Sequence, residues 1–217
     1  MTCNTENEPN AVLFESIARD LMEKGYSINP QALPVSLASA LRECLDRMEE
    51  QSYSSAGVGR GQAHQQDEQV RTDDICWITN DSPAGKQWLE WASGLQTHLN
   101  RRLFLGLFSF ESHFARYQPG DFYQRHLDSF RGQANRVLSM VVYLNKDWSP
   151  DDGGQLVLYQ GESDTTGIRV TPEMGTVVVF LSEEFPHEVL PADRERYSIA
   201  GWFRINTSSD SRVDPPR

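Results

Sequence analysis

Two histidines and one aspartate place the tightest limit on how this chain can fold. His126 and Asp128 are separated by a single residue, and His187 follows much later. On an extended segment, side chains two residues apart project to the same side, so His126 and Asp128 can approach one ion while His187 reaches it from another strand. Two imidazoles and one carboxylate on one face of a metal are the ligand set of non-haem Fe(II) sites with open positions. Because H-x-D alone is a weak signal, its context must support the metal site.

An arginine on the strand predicted after His187 supplies part of that context. Arg196 begins the segment Arg196-Tyr197-Ser198-Ile199-Ala200-Gly201-Trp202-Phe203. Its planar and permanently charged guanidinium suits a carboxylate. A 2-oxo acid with a distal carboxylate fits this layout, because its keto-acid end can take two metal positions while its far carboxylate meets Arg196. One octahedral position then stays open for O2.

The hydrophobic pattern changes from helical to extended after Leu103. Before it, apolar residues recur at helical spacing over 11–25, 34–49 and 85–102. After it, short runs rich in β-branched and aromatic residues alternate with Gly, Pro and Asp turns, over 108–111, 113–117, 137–144, 156–159, 176–181 and 197–203. Together with the metal motif, this predicts a mainly β chain of the α+β class. Its core would be a double-stranded β-helix of the jelly-roll, cupin-like type, with the N-terminal helices packed on one face.

One domain is expected over residues 11–205, with helical support from 11–105 and the β-helix core from 106–205. The polar residues 1–10 are expected to be disordered, and the Ser-, Asp- and Pro-rich residues 206–217 to form a loose tail. The stretch from about 54 to 72 is rich in Gly, Gln and charges and has little to bury. That composition predicts a mobile loop that closes over substrate.

The composition excludes several other classes of protein. The chain has 217 residues, of which 38% are hydrophobic, which suffices for one substantial core. A net charge of −11 argues against nucleic acid as the main partner. The 3 widely spaced cysteines form neither a disulfide framework nor a CxxC metal site, which favours a cytoplasmic location. We find no signal peptide and no apolar stretch long enough to cross a membrane, and we expect a monomer.

Six sequence blocks follow one another through the C-terminal half: Tyr117-Gln118-Pro119-Gly120, Tyr123 to Asp128, Tyr143 to Trp148, Gly153 to Leu156, Phe185 to Val189, and Arg196 to Trp202. In order and in close spacing they resemble the catalytic domain of the Fe(II)/2-oxoglutarate-dependent prolyl 4-hydroxylases. The resemblance is strongest to the animal oxygen-sensing enzymes that hydroxylate the hypoxia-inducible factor, and to their bacterial relatives. Arg71 to Ile78 is similar to the end of that family's substrate loop. One departure is that Gln118 separates Tyr117 from Pro119, whereas the family has Tyr directly before Pro-Gly.

The resemblance implies roles for individual residues. The metal ligands would be His126, Asp128 and His187, and with Arg196 they would form the catalytic set. The cosubstrate 2-oxoglutarate would be bound by Arg196, Tyr143, Tyr117 and Ser198. Substrate contacts would come from Arg136, Tyr123 and Trp202. For Tyr143, Tyr123 and Trp202 the alternative is simple packing, and for Arg136 it is a solvated charge at the rim.

The function implied by the resemblance is that of a peptidyl-prolyl 4-hydroxylase that uses Fe(II), 2-oxoglutarate and O2, with ascorbate keeping the iron ferrous. The bacterial relatives are associated with elongation factor Tu, which makes that protein the expected substrate. Two alternatives stay open. One is an oxygenase of a small molecule or free amino acid, and the other is a non-catalytic sensor that binds 2-oxoglutarate.

Overall fold

The structure of the protein is a computed structural model. It describes residues 7–49, 52–55, 70–129 and 135–206. Most of the predicted loop over 54–72 and nearly all of the predicted C-terminal tail therefore lie outside the described residues. Within the described ranges, none of the helices has the length and apolarity that a bilayer crossing requires.

Three helices form the N-terminal half: α1 (Asn7–Lys24), α2 (Val35–Asp46) and α3 (Pro83–Leu103). The start of α3 follows from its sequence, because Ser82 accepts a hydrogen bond from the Gly85 amide and Pro83 occupies the first turn. The expected tail over residues 1–10 is too long, since α1 already begins at Asn7. The Asn10 side chain accepts a hydrogen bond of 3.1 Å from Trp91 Nε1 on α3, a long-range contact that helical periodicity does not reveal.

Eleven strands are present in the described residues: β1 (Tyr26–Asn29), β2 (Ser54–Ser55), β3 (Asp74–Trp77), β4 (Leu107–Tyr117), β5 (Tyr123–His126), β6 (Arg136–Tyr143), β7 (Leu156–Leu158), β8 (Ile168–Val170), β9 (Val177–Leu181), β10 (His187–Val189) and β11 (Arg196–Ile205). They form a seven-stranded sheet in the order β1-β9-β6-β11-β4-β3-β2 and a four-stranded sheet in the order β5-β10-β7-β8. Every pair of neighbours is antiparallel. Two antiparallel sheets with these crossovers form the predicted jelly-roll core.

The seven-stranded sheet has a separate hydrophobic core on each of its faces. On β6, Leu138, Met140 and Val142 pack in the core that contains the helices, while Tyr143 belongs to the core between the two sheets. Strand β9 divides in the same way, because successive side chains of a strand point to opposite faces. The helices therefore cover one face of the large sheet, as predicted. The other face looks into the space between the sheets, where the predicted site residues gather.

Candidate metal and 2-oxoglutarate site

The two histidines of the predicted triad lie directly opposite each other on neighbouring strands. His126 is the last residue of β5, His187 is the first of β10, and the two are partners in the antiparallel ladder. Asp128 lies beyond the end of β5, whereas the sequence predicted one extended segment for His126 and Asp128. Its carboxylate nevertheless approaches both rings, at 3.7 Å from His126 Nε2 and 3.6 Å from His187 Nε2.

Each ring is oriented by a backbone carbonyl. His126 Nδ1 lies 2.7 Å from the Gln124 oxygen, and His187 Nδ1 lies 3.0 Å from the Phe185 oxygen. A ring that donates its Nδ1 hydrogen to a carbonyl carries its lone pair on Nε2, the atom that faces Asp128 in both histidines. Burial, together with the nearby His126, lowers the pKa of His187 to about 4, so that its ring is neutral near pH 7.

The carboxylate of Asp128 is held in its charged form. Burial raises its pKa, but His187, His126 and a hydrogen bond from Ser139 outweigh that effect and hold the pKa well below its usual range. The three side chains offer ligand atoms that all lie within 4.8 Å of one another. Two neutral imidazoles and one carboxylate are the donors that Fe(II) takes in facial sites, so the residues fit this metal.

Arg196 lies buried at the start of β11, with 1% of its surface exposed. Its Nε donates to the Gly154 oxygen at 2.8 Å, and Nη1 donates to Ser198 Oγ at 3.1 Å. Gly154 has a φ of 67°, and a Cβ there would come within 3.0 Å of the Arg196 side chain, which explains a glycine at this position. No carboxylate of the described residues forms an ion pair with Arg196. A buried guanidinium without a counter-ion is suited to an anionic ligand.

Two tyrosines flank this guanidinium. The centroids of the Tyr117 and Tyr143 rings lie 4.8 Å and 5.1 Å from Arg196 Cζ. Tyr143 is fully buried, and its hydroxyl has no hydrogen-bond partner in the described part of the chain. Burial raises the pKa of Tyr143 to about 12, against the opposing effect of Arg196, so the hydroxyl remains a donor at neutral pH. Arg196 and Tyr143 thus offer a buried cation and a hydroxyl donor to one carboxylate.

A cavity of about 890 Å³ joins the triad to Arg196 and Ser198. Its wall follows the alternation of the strands, because the inward positions of β4, β6 and β11 line it: His113, Ala115, Tyr117, Ser139, Val141, Arg196, Ser198, Ala200 and Trp202. A volume of this size holds more than a small keto acid, so a second substrate can enter beside the metal.

The three predicted substrate residues also line this cavity. The Tyr123 ring stacks on His126 with 3.6 Å between centroids. Arg136 Cζ lies 3.7 Å from the Trp202 ring centroid, and Arg136 donates a hydrogen bond of 3.0 Å to Glu111. These contacts bring the three residues to the site, while their roles towards substrate remain predictions.

Sequence reasoning missed several residues of the site. Ser139 donates a hydrogen bond to Asp128, but in the sequence it stands within an apolar strand segment and attracts no attention. His113, which had no signal beyond its place in the predicted strand 113–117, lines the cavity, and its ring lies 5.3 Å from that of Trp77 and 5.4 Å from that of Trp202. Arg71 was placed by the resemblance at the end of the substrate loop, but its contact with Tyr123 was not foreseen. The one signal available was the period of two, which puts His113 on the same face as Tyr117, and Ser139 on the same face as Tyr143.

Comparison with known proteins agrees with this geometry. Residues 112–204 match the family model of the 2OG-Fe(II) oxygenase superfamily. A crystal structure of a Pseudomonas putida prolyl-4-hydroxylase is 42% identical with a TM-score of 0.78, over 88% of this chain and 98% of that one. A prolyl hydroxylase from Trichoplax adhaerens, solved with a peptide fragment of the hypoxia-inducible factor, is 26% identical with a TM-score of 0.80, over 94% of each chain.

A curated relative extends the match along the sequence. The hypoxia-inducible factor prolyl hydroxylase of Caenorhabditis elegans is 23% identical over 214 residues, which cover 93% of this chain and 29% of that protein. The chain spans about a third or less of the length of the curated relatives that it matches.

The fold and the site define a non-haem iron oxygenase domain. The chain belongs to the Fe(II)/2-oxoglutarate-dependent prolyl hydroxylase family of the 2OG-Fe(II) oxygenases. It is thus a dioxygenase of the kind that uses Fe(II), 2-oxoglutarate and O2.

Proposed function

We propose that this protein is a peptidyl-prolyl 4-hydroxylase. In the overall reaction, 2-oxoglutarate and O2 become succinate and CO2, one oxygen atom enters succinate, and the other becomes the hydroxyl on C4 of a proline in a protein substrate. The observation that carries the proposal is that one cavity holds the His126, Asp128 and His187 cluster together with Arg196, which pairs with no carboxylate of the described residues. When bound there, Fe(II) supplies the oxidising chemistry.

Different residues of the cavity would bind the metal and the cosubstrate. His126, Asp128 and His187 would hold Fe(II). Arg196 and the protonated Tyr143 hydroxyl would bind the distal carboxylate of 2-oxoglutarate, with Ser198 fixing the guanidinium and Tyr117 packing against it. With its distal carboxylate bound at one end of the cavity, 2-oxoglutarate would reach the triad with its keto-acid end.

Three further residues of the cavity wall would contact the protein substrate. Arg136, Tyr123 and Trp202 line the same cavity, and Trp202 Nε1 has no hydrogen-bond partner among the described residues. These groups suit a peptide, because a guanidinium and an indole N–H donate to backbone carbonyls, while aromatic rings pack on a proline ring. A small metabolite would need fewer contacts than this wall provides.

Further features of the proposal follow from the sequence and from the family that it resembles. We infer elongation factor Tu as the protein substrate, ascorbate as an activator, a monomer and a cytoplasmic location. The net charge of −11 agrees with the exclusion of nucleic acid.

Mass spectrometry of hydroxylated proline tests the proposal. Purified bacterial elongation factor Tu and its proline-containing peptides are incubated with the enzyme, Fe(II), 2-oxoglutarate, ascorbate and O2. One added oxygen on a proline is expected, with one succinate formed per hydroxylation, and the His126→Ala variant should form neither. If the same assay on whole host extracts finds no proline oxygenation, while a small metabolite stimulates succinate formation, the peptidyl assignment is wrong.

A further inference from the structure

Two buried serines form a hydrogen-bonded chain that ends on the carboxylate of Asp128. Ser139 Oγ lies 2.6 Å from Asp128 Oδ2, and Ser182 Oγ lies 2.9 Å from Ser139 Oγ. Both serines are buried, with 1% and 0% of their surface exposed. Ser139 occupies β6, and Ser182 directly follows the end of β9. The chain thus connects Asp128 to two central strands of the large sheet.

The direction of the two hydrogen bonds follows from the number of protons. An ionised carboxylate only accepts, and a serine hydroxyl has a single proton to donate. Ser139 Oγ donates its proton to Asp128 Oδ2. The proton between the two serines must then come from Ser182. This arrangement occupies Oδ2 and leaves Oδ1 without a hydrogen bond from Ser139.

Asp128 depends on side-chain contacts for its orientation, whereas the two histidine ligands are fixed by the backbone. His126 and His187 are fixed by their strand pairing and by carbonyls that accept from their Nδ1 atoms. Asp128 lies beyond the last residue of β5 and outside the strand ladder. The orientation of its carboxylate therefore rests on side-chain contacts, of which that with Ser139 is the shortest.

We propose that Ser139, supported by Ser182, is a positioning residue that holds the Asp128 carboxylate in the orientation that binds the metal. The inference rests on the proposed function, because it assumes that the triad binds Fe(II). Three protein atoms, two atoms of the keto acid and one O2 fill six octahedral positions. A carboxylate that is free to turn would bind the metal more weakly, or would take with its second oxygen a position that 2-oxoglutarate or O2 needs.

Metal titration of the metal-free protein tests this role without turnover. The dissociation constant for Mn(II) and Fe(II) is measured by competition with a chromophoric chelator under nitrogen. Ser139→Ala should bind metal roughly 10- to 100-fold more weakly, as is typical when a partner of a metal ligand is lost. Ser182→Ala should have a smaller effect of the same sign, and Ser139→Thr, which keeps the hydroxyl, should restore most of the affinity.

A matched control comes from another buried serine that donates to a carboxylate. Ser27 is fully buried and donates to Asp20 at 2.8 Å, within the N-terminal part of the chain. Ser27→Ala should leave metal affinity unchanged even if it lowers thermal stability. The absorption band of the Fe(II)–2-oxoglutarate chelate gives a second readout, which should change in Ser139→Ala and not in Ser27→Ala.

Two results would overturn the inference in distinguishable ways. If Asp128→Ala loses metal while Ser139→Ala binds metal and shows the chelate band like the unmodified protein, the serine chain does not position the ligand. If Asp128→Ala itself keeps full metal affinity, the metal assignment under the proposed function is wrong, and the role of Ser139 falls with it.

Discussion

The guanidinium of Arg71 lies over the ring of Tyr123, with 4.4 Å between Cζ and the ring centroid. The same ring stacks on His126 at 3.6 Å and an interplanar angle of 14°. Arg71 is fixed in turn by Asp73, with 2.8 Å from Nε to Oδ1 and 2.6 Å from Nη2 to Oδ2. A buried ion pair at the end of the segment that precedes β3 therefore supports a residue of the candidate metal site through one aromatic ring.

Loss of the Asp73 charge should disturb this support. The Asp73 side chain is fully buried and that of Arg71 is 10% exposed. Breaking a buried pair by neutralising one partner leaves an uncompensated charge, so Asp73→Asn should lower the free energy of unfolding by roughly 3 kcal/mol. We also expect weaker metal binding, because Tyr123 loses its support. Urea unfolding and metal titration measure the two effects.

An exposed pair provides the control. Glu43 pairs with Arg47 at 3.3 Å on the surface, where ion pairs contribute little. Glu43→Gln should leave both the stability and the metal affinity nearly unchanged. An Asp73→Asn protein as stable as the unmodified one would show that the pair is not a structural support.

Arg196 should dominate the affinity for 2-oxoglutarate. Arg196→Ala removes the buried cation that would face the distal carboxylate, and we expect a loss of roughly 2–4 kcal/mol of binding free energy. Arg196→Lys should recover only part of it, because an ammonium cannot reproduce the two-pronged geometry. Tyr143→Phe should have a smaller effect of the same sign. Calorimetric titration of the Mn(II)-loaded protein with 2-oxoglutarate measures all three.

The neighbouring Arg194 controls for the loss of positive charge. It is 45% exposed on its side chain and contacts Asp152 and Trp148 outside the main cavity. Arg194→Ala should therefore bind 2-oxoglutarate normally. Equal affinities in Arg196→Ala and the unmodified protein would refute the assignment of the carboxylate site.

Arg136 should affect the peptide and not the cosubstrate. Its guanidinium packs on Trp202, and Arg136 lies at the opposite end of β6 from Tyr143, which flanks Arg196. Arg136→Gln should lower kcat/KM for a substrate peptide by about tenfold, the effect of losing one well-placed interaction. The dissociation constant of 2-oxoglutarate should not change. Arg42→Gln, which removes a charge on α2, serves as the control and should alter neither quantity.

The stability of the metal-free protein should fall in mild acid, partly through His113. Burial, with the nearby charges of Arg71 and Arg136, lowers the pKa of His113 to about 3, from an ordinary value of 6.5. As the pH falls below 6.5, the unfolded chain takes up a proton that the folded chain refuses. The free energy of unfolding therefore decreases between about pH 6.5 and pH 3, by up to about 1.4 kcal/mol per pH unit for one such histidine.

Replacement of His113 should reduce that pH dependence. His113→Phe keeps an aromatic ring between Trp77 and Trp202 but cannot be protonated, so the slope of stability against pH should become shallower. Part of the slope should remain, because His187 also has a lowered pKa. Phe110→Leu on the same strand should lower stability at every pH without changing the slope. An unchanged slope in His113→Phe would contradict the prediction.

The sequence by itself determined the residues with chemistry and most of the framework. His126 and Asp128 could be singled out because H-x-D is a local motif, and His187 and Arg196 because the sequence blocks around them resemble those of a known family. Long periodic segments such as α3 and β6 were predicted within two residues of their ends. A short strand such as β8, with 3 residues, carries too little pattern to be recognised from the sequence alone. It forms because it pairs with β7.

Tertiary structure alone decided how those residues are held. Asp128 lies beyond β5, so Ser139 and Ser182 on distant parts of the chain orient its carboxylate. The buried environment of His113 likewise depends on residues far away in sequence. A local pattern specifies which face a side chain takes, because that depends on its own backbone. Hydrogen-bond partners and burial depend on which strands meet, and that is set only when the whole sheet is assembled.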